Sequence, residues 1–134
     1  MFCPRLKIGA ICHGLLPNCR DDGPCDNSCG KAFKYVDCSI KLMLDRFREY
    51  GVSGNEMEIK LFGGADMFSS GDEGCRGGSV GDLNIRAALK IFDDEKLKVL
   101  KSDTGGIQGR KIMFYTHTGE VLLKRVRRAG IQEL

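Results

Sequence analysis

The chain has 134 residues, of which 42% are hydrophobic and 29% are charged, as is typical of a soluble domain with one core. The net charge of +3 is too small for the strongly basic face that binds nucleic acid. No apolar run approaches the roughly 18 to 20 residues that span a bilayer, and the first residues lack an export signal, so we expect one cytoplasmic domain over residues 1–134 without membrane insertion.

The first predicted element is a strand over residues 6–13. Alternation places Leu6, Ile8, Ala10 and Cys12 on one face. His13, one of two histidines in the chain, belongs to the other face. Taken alone, a histidine here is more often an ordinary strand-end residue than a catalytic one, and Cys12 and His13 are expected to point in opposite directions.

An amphipathic helix is predicted over residues 33–50. Val36, Ile40, Met43 and Phe47 recur at helical spacing, and Gly51 is suited to end the helix in a left-handed conformation. This stripe is expected to face the core.

A strand over residues 57–62 follows and ends at Gly63 and Gly64. Glycines at this position suit a sharp turn, and their backbone N–H groups could also stabilise an oxyanion; the turn is the preferred interpretation. Beyond a polar loop over residues 66–79, a second amphipathic helix is predicted across residues 85–92, with Asp82 as its cap.

The last predicted elements are a short strand over residues 97–101 and a C-terminal hairpin. Residues 111–115 and 120–126 read as its strands, joined through a turn that contains the second histidine, His117, which is expected to be solvated. These patterns by themselves support only a mixture of α and β structure.

The loop over residues 18–31 is unusual because it holds Cys19, Cys25 and Cys29. An odd total of seven cysteines and no export signal favour reduced thiols over a disulfide framework. Zinc is a rival interpretation, with His13, Cys12 or Cys38 as further ligands. Structural zinc sites favour ligand pairs two to four residues apart, whereas the separations here are six and four. We therefore expect no metal and no cofactor.

Several separate blocks of the sequence resemble the CheD family, the bacterial chemoreceptor glutamine deamidases. The blocks are residues 6–17 (LKIGAICHGLLP), 34–44 (KYVDCSIKLML), 60–67 (KLFGGADM), 80–89 (VGDLNIRAAL) and 103–126 (DTGGIQGRKIMFYTHTGEVLLKRV). They lie in the family's order over nearly the whole chain. The resemblance implies an α+β fold with mixed β-sheets packed together and helices outside, in α/β/β/α layers.

The resemblance also implies a cysteine amidase mechanism that acts on protein glutamine side chains. His13 falls on the family's catalytic histidine, in its His-x-x-Leu-Pro context. Gly63 and Gly64 are the candidates for substrate or oxyanion contacts. The implied partners are the cytoplasmic helices of methyl-accepting chemoreceptors and a CheC-type phosphatase.

The family's nucleophilic cysteine lies in a Gly-Ser-Cys segment before the histidine strand, together with an orienting threonine. In this sequence that segment would precede Met1, and neither Cys3 nor Cys12 matches it. Deletion of a covalent nucleophile costs several orders of magnitude in turnover, so the chain as written is expected to be inactive or impaired. A misassigned start site, a truncation and a catalytically impaired binding module all remain open.

Overall fold

A computed structural model describes residues 1–20, 29–67 and 78–126. Cys25 and most of the predicted polar loop over residues 66–79 therefore lie outside the described residues. Within the described part, no helix is long and apolar enough to cross a membrane.

The first helix, α1, spans Val36–Glu49. It confirms the helix predicted over residues 33–50, although it begins three residues later. Ile40, Leu44 and Phe47 are buried, as the helical spacing predicts. Residues 32–34 form a turn and Tyr35 is extended, because the backbone there bonds to another segment: the Val36 N–H donates to the Leu16 carbonyl at 2.8 Å. Tertiary pairing thus sets the N-terminal boundary.

The second helix, α2, spans Val80–Asp94 and is longer than the predicted residues 85–92. Its N-cap is Ser79 and not Asp82, which corrects the prediction. The Ser79 hydroxyl accepts the Asp82 N–H at 3.2 Å, and the Asp82 carboxylate accepts the Ser79 N–H at 3.4 Å. This reciprocal capping box stabilises a first turn that lies before the apolar stripe begins.

The strands within the described residues form three two-stranded sheets. They are β1 (Phe2–Cys3) with β2 (Ile8–Gly9), β3 (Ile59–Gly63) with β4 (Val99–Thr104), and β5 (Gly109–Phe114) with β6 (Val121–Val126). The middle pair is parallel and the other two are antiparallel. The fold class is α+β, as predicted, and β5 with β6 confirms the predicted hairpin.

The core lies where the two helices meet the parallel sheet. Its buried cluster takes side chains from both helices and from β3: Ile40, Leu44, Ala88, Phe92 and Ile59. A second, smaller cluster of Cys3, Phe47 and Val52 lies beneath β1. Together these clusters hold α1, α2 and β3 in fixed relative positions.

Candidate functional site

His13 lies in the segment that follows β2, and the residues just after it pair with the backbone that precedes α1. The backbone N–H groups of Leu15 and Leu16 both donate to the Lys34 carbonyl, at 2.8 and 3.1 Å. Gly14 packs directly against the helix start, where an added Cβ would lie 2.7 Å from the Cα of Val36. Backbone hydrogen bonds and close packing therefore hold this segment, and with it the backbone beside His13.

The imidazole of His13 is exposed, whereas the preceding Cys12 is half-buried and packs against the main core cluster. This difference in burial agrees with the predicted alternation of faces. Among the described residues, no group forms a hydrogen bond with the His13 ring. The ring is thus accessible to a substrate that approaches from solvent.

The described thiols nearest to His13 in the sequence are poor nucleophiles. Burial raises the pKa of the Cys12 thiol, which keeps it protonated at neutral pH. Cys3 is fully buried with Phe47 and Val52. Neither sulfur contacts the His13 ring, so within the described residues these two thiols are not placed to act with the imidazole.

Gly63 and Gly64 form the turn that ends β3, with φ of +117° and +67°. The Gly63 carbonyl accepts the Gly105 N–H at 2.9 Å. At Gly64 an added Cβ would lie 2.5 Å from the Cδ1 atom of Ile85 and 2.8 Å from the Gly81 carbonyl oxygen. Close packing against α2 therefore accounts for Gly64, and the oxyanion role of the pair stays a prediction.

The start of α2 links the two predicted site segments. Asn84 donates its side-chain N–H to the Leu15 carbonyl at 3.1 Å, two residues from His13. Gly81, three residues earlier and on the same side of the helix, packs against Gly64. Hence the His13 segment and the glycine turn both contact the first two turns of one helix.

Asn84 is a residue that the sequence reasoning missed. Its side-chain Oδ1 atom is buried and has no hydrogen-bond partner among the described residues. An unsatisfied buried oxygen is uncommon and points to a structural or functional demand. The sequence feature that could have indicated Asn84 is a polar asparagine between the apolar residues of a predicted helix, in the 80–89 block that carries the family resemblance.

Three cysteines outside the His13 segment also come together. The sulfur atoms of Cys19, Cys29 and Cys38 all lie within 4.8 Å of one another. Cys38 belongs to the first turn of α1, so the helix brings a third thiol to two loop thiols. Zinc bound by the loop cysteines, with Cys38 as a possible further ligand, was the rival interpretation of the sequence, and the ligand spacing led to an expectation of no metal.

A cavity of about 390 Å³ is lined by residues of β3, β4 and β6. Lys60, Phe62, Lys101 and Asp103 contribute to its lining. Neither His13 nor the glycine turn lines this cavity, which separates it from the candidate site.

Comparison with known proteins identifies relatives over most of the chain. A family model described as CheD chemotactic sensory transduction matches residues 15–125. A probable chemoreceptor glutamine deamidase CheD 2 from Geobacter sulfurreducens is 46% identical over 96% of this chain and 73% of its own length. The chemoreceptor glutamine deamidase CheD from Thermotoga maritima is 32% identical over 92% of this chain and 71% of its own length.

Proposed function

The chain belongs to the CheD family, and from this premise we propose that it is a protein-glutamine deamidase acting on methyl-accepting chemoreceptors. The relatives described above carry names that state this activity. The cytoplasmic helices of the receptors would be the substrate, which makes the cytoplasm the working location. A CheC-type phosphatase is the proposed second partner.

The proposed reaction has two half-reactions that share one histidine. A cysteine thiolate, which none of the described residues supplies beside His13, attacks the carboxamide carbon of a glutamine side chain. The carbon–nitrogen bond then breaks as the imidazolium of His13 gives its proton to the nitrogen, which leaves as ammonia. Neutral His13 then takes a proton from a water molecule as the water attacks the thioester carbonyl. The carbon–sulfur bond breaks, and the products are glutamate and the restored thiolate.

The observation that carries this proposal is the setting of His13. Its ring is exposed and has no hydrogen-bond partner among the described residues, while the backbone beside it is anchored to α1. A general base needs access to the substrate, and the exposed ring on an anchored backbone supports that role. The backbone N–H groups of Gly63 and Gly64 are proposed as oxyanion contacts.

A second candidate function is a binding module for chemoreceptors or for a CheC-type phosphatase. The observation that favours it is that neither described thiol near His13 in the sequence is both exposed and ionised. Burial raises the pKa of the Cys12 thiol and keeps it protonated, and Cys3 is fully buried. The described segments therefore offer His13 for proton transfer but no nucleophilic thiolate. The two candidates differ in one measurable property, the release of ammonia.

The test incubates the chain with a cytoplasmic fragment of a methyl-accepting chemoreceptor and measures ammonia release and receptor mass. The deamidase proposal predicts conversion of glutamine to glutamate at defined positions. His13→Ala is expected to lower the rate by at least about 100-fold, since general acid–base catalysis contributes at least that much. His117→Ala is the matched control because His117 lies in the exposed β5–β6 turn and is expected to leave the rate unchanged.

An unchanged receptor mass together with a stable complex would support the binding module and overturn the deamidase proposal. Equal loss of rate in the His13 and His117 variants would also contradict a specific role for His13. Circular dichroism of both variants establishes whether a lost rate reflects chemistry or folding.

A further inference from the structure

Cys19, Cys29 and Cys38 converge from three separate parts of the chain. Cys19 follows the segment that carries His13, Cys29 precedes α1, and Cys38 lies in the first turn of that helix. We propose that these three thiolates bind one zinc ion. The proposal departs from the expectation of no metal, which rested on sequence separations alone.

The distances between the sulfur atoms fit a shared metal ion. Zinc–sulfur bonds of about 2.3 Å in tetrahedral geometry place two ligand sulfurs about 3.8 Å apart. The Sγ atoms of Cys29 and Cys38 are 3.6 Å apart, and the Cys19 sulfur lies within 4.8 Å of both. A disulfide needs sulfur atoms about 2.05 Å apart and would use only two of the three thiols. Convergence of three thiols thus favours a metal.

A buried carboxylate holds the backbone of two of the three ligands. Asp37 is only 6% exposed, and its carboxylate accepts the Cys38 N–H at 2.7 Å and the Cys19 N–H at 3.3 Å. The Asp37 N–H in turn donates to the Pro17 carbonyl at 3.2 Å. These bonds fix the spacing between the Cys19 loop and α1, as groups around a metal typically do for its ligands.

The surroundings of the sulfurs also favour negative charge. Cys38 is fully buried at the N-terminal turn of a 14-residue helix, where the peptide dipoles stabilise an anion. The backbone N–H of Lys31 donates to the Cys29 sulfur at 3.4 Å. Hydrogen bonds from backbone N–H groups to sulfur commonly accompany metal-bound cysteines.

Three sulfurs leave one position of a tetrahedral ion for water or another side chain. Cys25 lies between two of the ligands in the sequence but outside the described residues, and it is not assigned. Neighbouring ligands are nine or more residues apart in the sequence. The site therefore lacks the short spacing between paired ligands by which zinc sites are recognised in a sequence. Bound zinc would link Cys19, which follows the His13 segment, to Cys38 in the first turn of α1.

The test uses the 134-residue chain purified under reducing conditions and freed of metal with a chelator. We expect uptake of one zinc ion per chain by elemental mass spectrometry. Cobalt(II) in place of zinc is expected to give a thiolate charge-transfer band and the intense visible bands of tetrahedral coordination. Zinc is also expected to protect Cys19, Cys29 and Cys38 from alkylation.

Cys29→Ser is the informative variant because this side chain is only partly buried. We expect its zinc affinity to fall by more than about 100-fold, beyond the loss caused by removing an outer-shell partner. Cys12→Ser is the matched control, since Cys12 lies outside the three-sulfur cluster and is expected to leave zinc affinity unchanged.

Two results would overturn the proposal. They are a folded, reduced chain that takes up no zinc or cobalt, and zinc affinity that is equal in the wild type and Cys29→Ser. Each is independent of deamidase activity, so failure of the zinc site and failure of the proposed function are distinguishable.

Discussion

At the scale of single residues, Gly64 allows the end of β3 to approach α2 closely because it has no side chain. Gly64 has φ of +67° and contacts the backbone of Gly81. A left-handed conformation costs a residue with a side chain about 1–2 kcal/mol. The same position also has no room for a Cβ beside Ile85. Gly64 thus meets a conformational and a steric requirement at once.

Gly64→Ala is expected to lower the free energy of unfolding by roughly 2–5 kcal/mol, the sum of backbone strain and overpacking. Gly51→Ala is the matched control, because Gly51 has φ of +70° and nothing within 4 Å of an added Cβ. It is expected to show only the strain, about 1–2 kcal/mol. Denaturant titration of the two variants measures the difference, and equal losses would contradict close packing at Gly64.

At the scale of elements, one carboxylate connects the C-terminal hairpin to the parallel sheet. Asp103 on β4 pairs with Arg110 on β5 at 2.7 Å and with Arg125 on β6 at 2.6 Å. The side chain of Arg110 is only 7% exposed. The two guanidinium groups, Arg110 first, lower the pKa of Asp103, so its charge is retained well into acid.

Asp103→Asn is expected to lower the melting temperature of the chain, because it leaves the enclosed guanidinium of Arg110 without its counter-ion. Asp94→Asn is the control, since the pair of Asp94 with Lys90 is exposed and contributes little. Thermal unfolding followed by circular dichroism compares the two variants. A larger loss in the Asp94 variant would contradict the role assigned to Asp103.

At the scale of the whole molecule, an ion pair joins the N-terminal hairpin to the chain that enters β3. Arg5 and Glu56 lie 2.5 Å apart, and Glu56 also accepts the Ser53 N–H. The bond from Arg5, followed by those from Ser53, lowers the pKa of Glu56 from 4.5 to about 2. The carboxylate is therefore more acidic in the folded protein than in the unfolded chain.

A depressed pKa in the folded state stabilises the protein where the group is ionised in both states. The contribution of Glu56 is fully present above pH 4.5 and is lost as the pH falls toward about 2. Glu56→Gln is expected to flatten the fall in stability across this pH window, as measured by denaturant titration at several pH values. Glu49→Gln, on an exposed pair with Arg46, is the carboxylate control. An unchanged slope in Glu56→Gln would refute this linkage.

The sequence by itself determined the elements whose signals are local. Helical spacing from Val36 to Phe47 predicted α1, and the turn around His117 predicted the β5–β6 hairpin, because side-chain periodicity and turn chemistry act within a few residues. The catalytic role of His13 was predicted from the family resemblance. It stays a prediction, and the deamidation assay tests it.

Only the tertiary structure decided what depends on contacts between distant segments. The start of α1 is set by pairing with Leu16, and α2 brings Asn84 to the His13 segment and Gly81 to Gly64. The sulfur cluster likewise needs α1 to carry Cys38 to Cys19 and Cys29. The physical reason is that packing and backbone bonding between separate elements select these contacts, and no local pattern in the sequence encodes them.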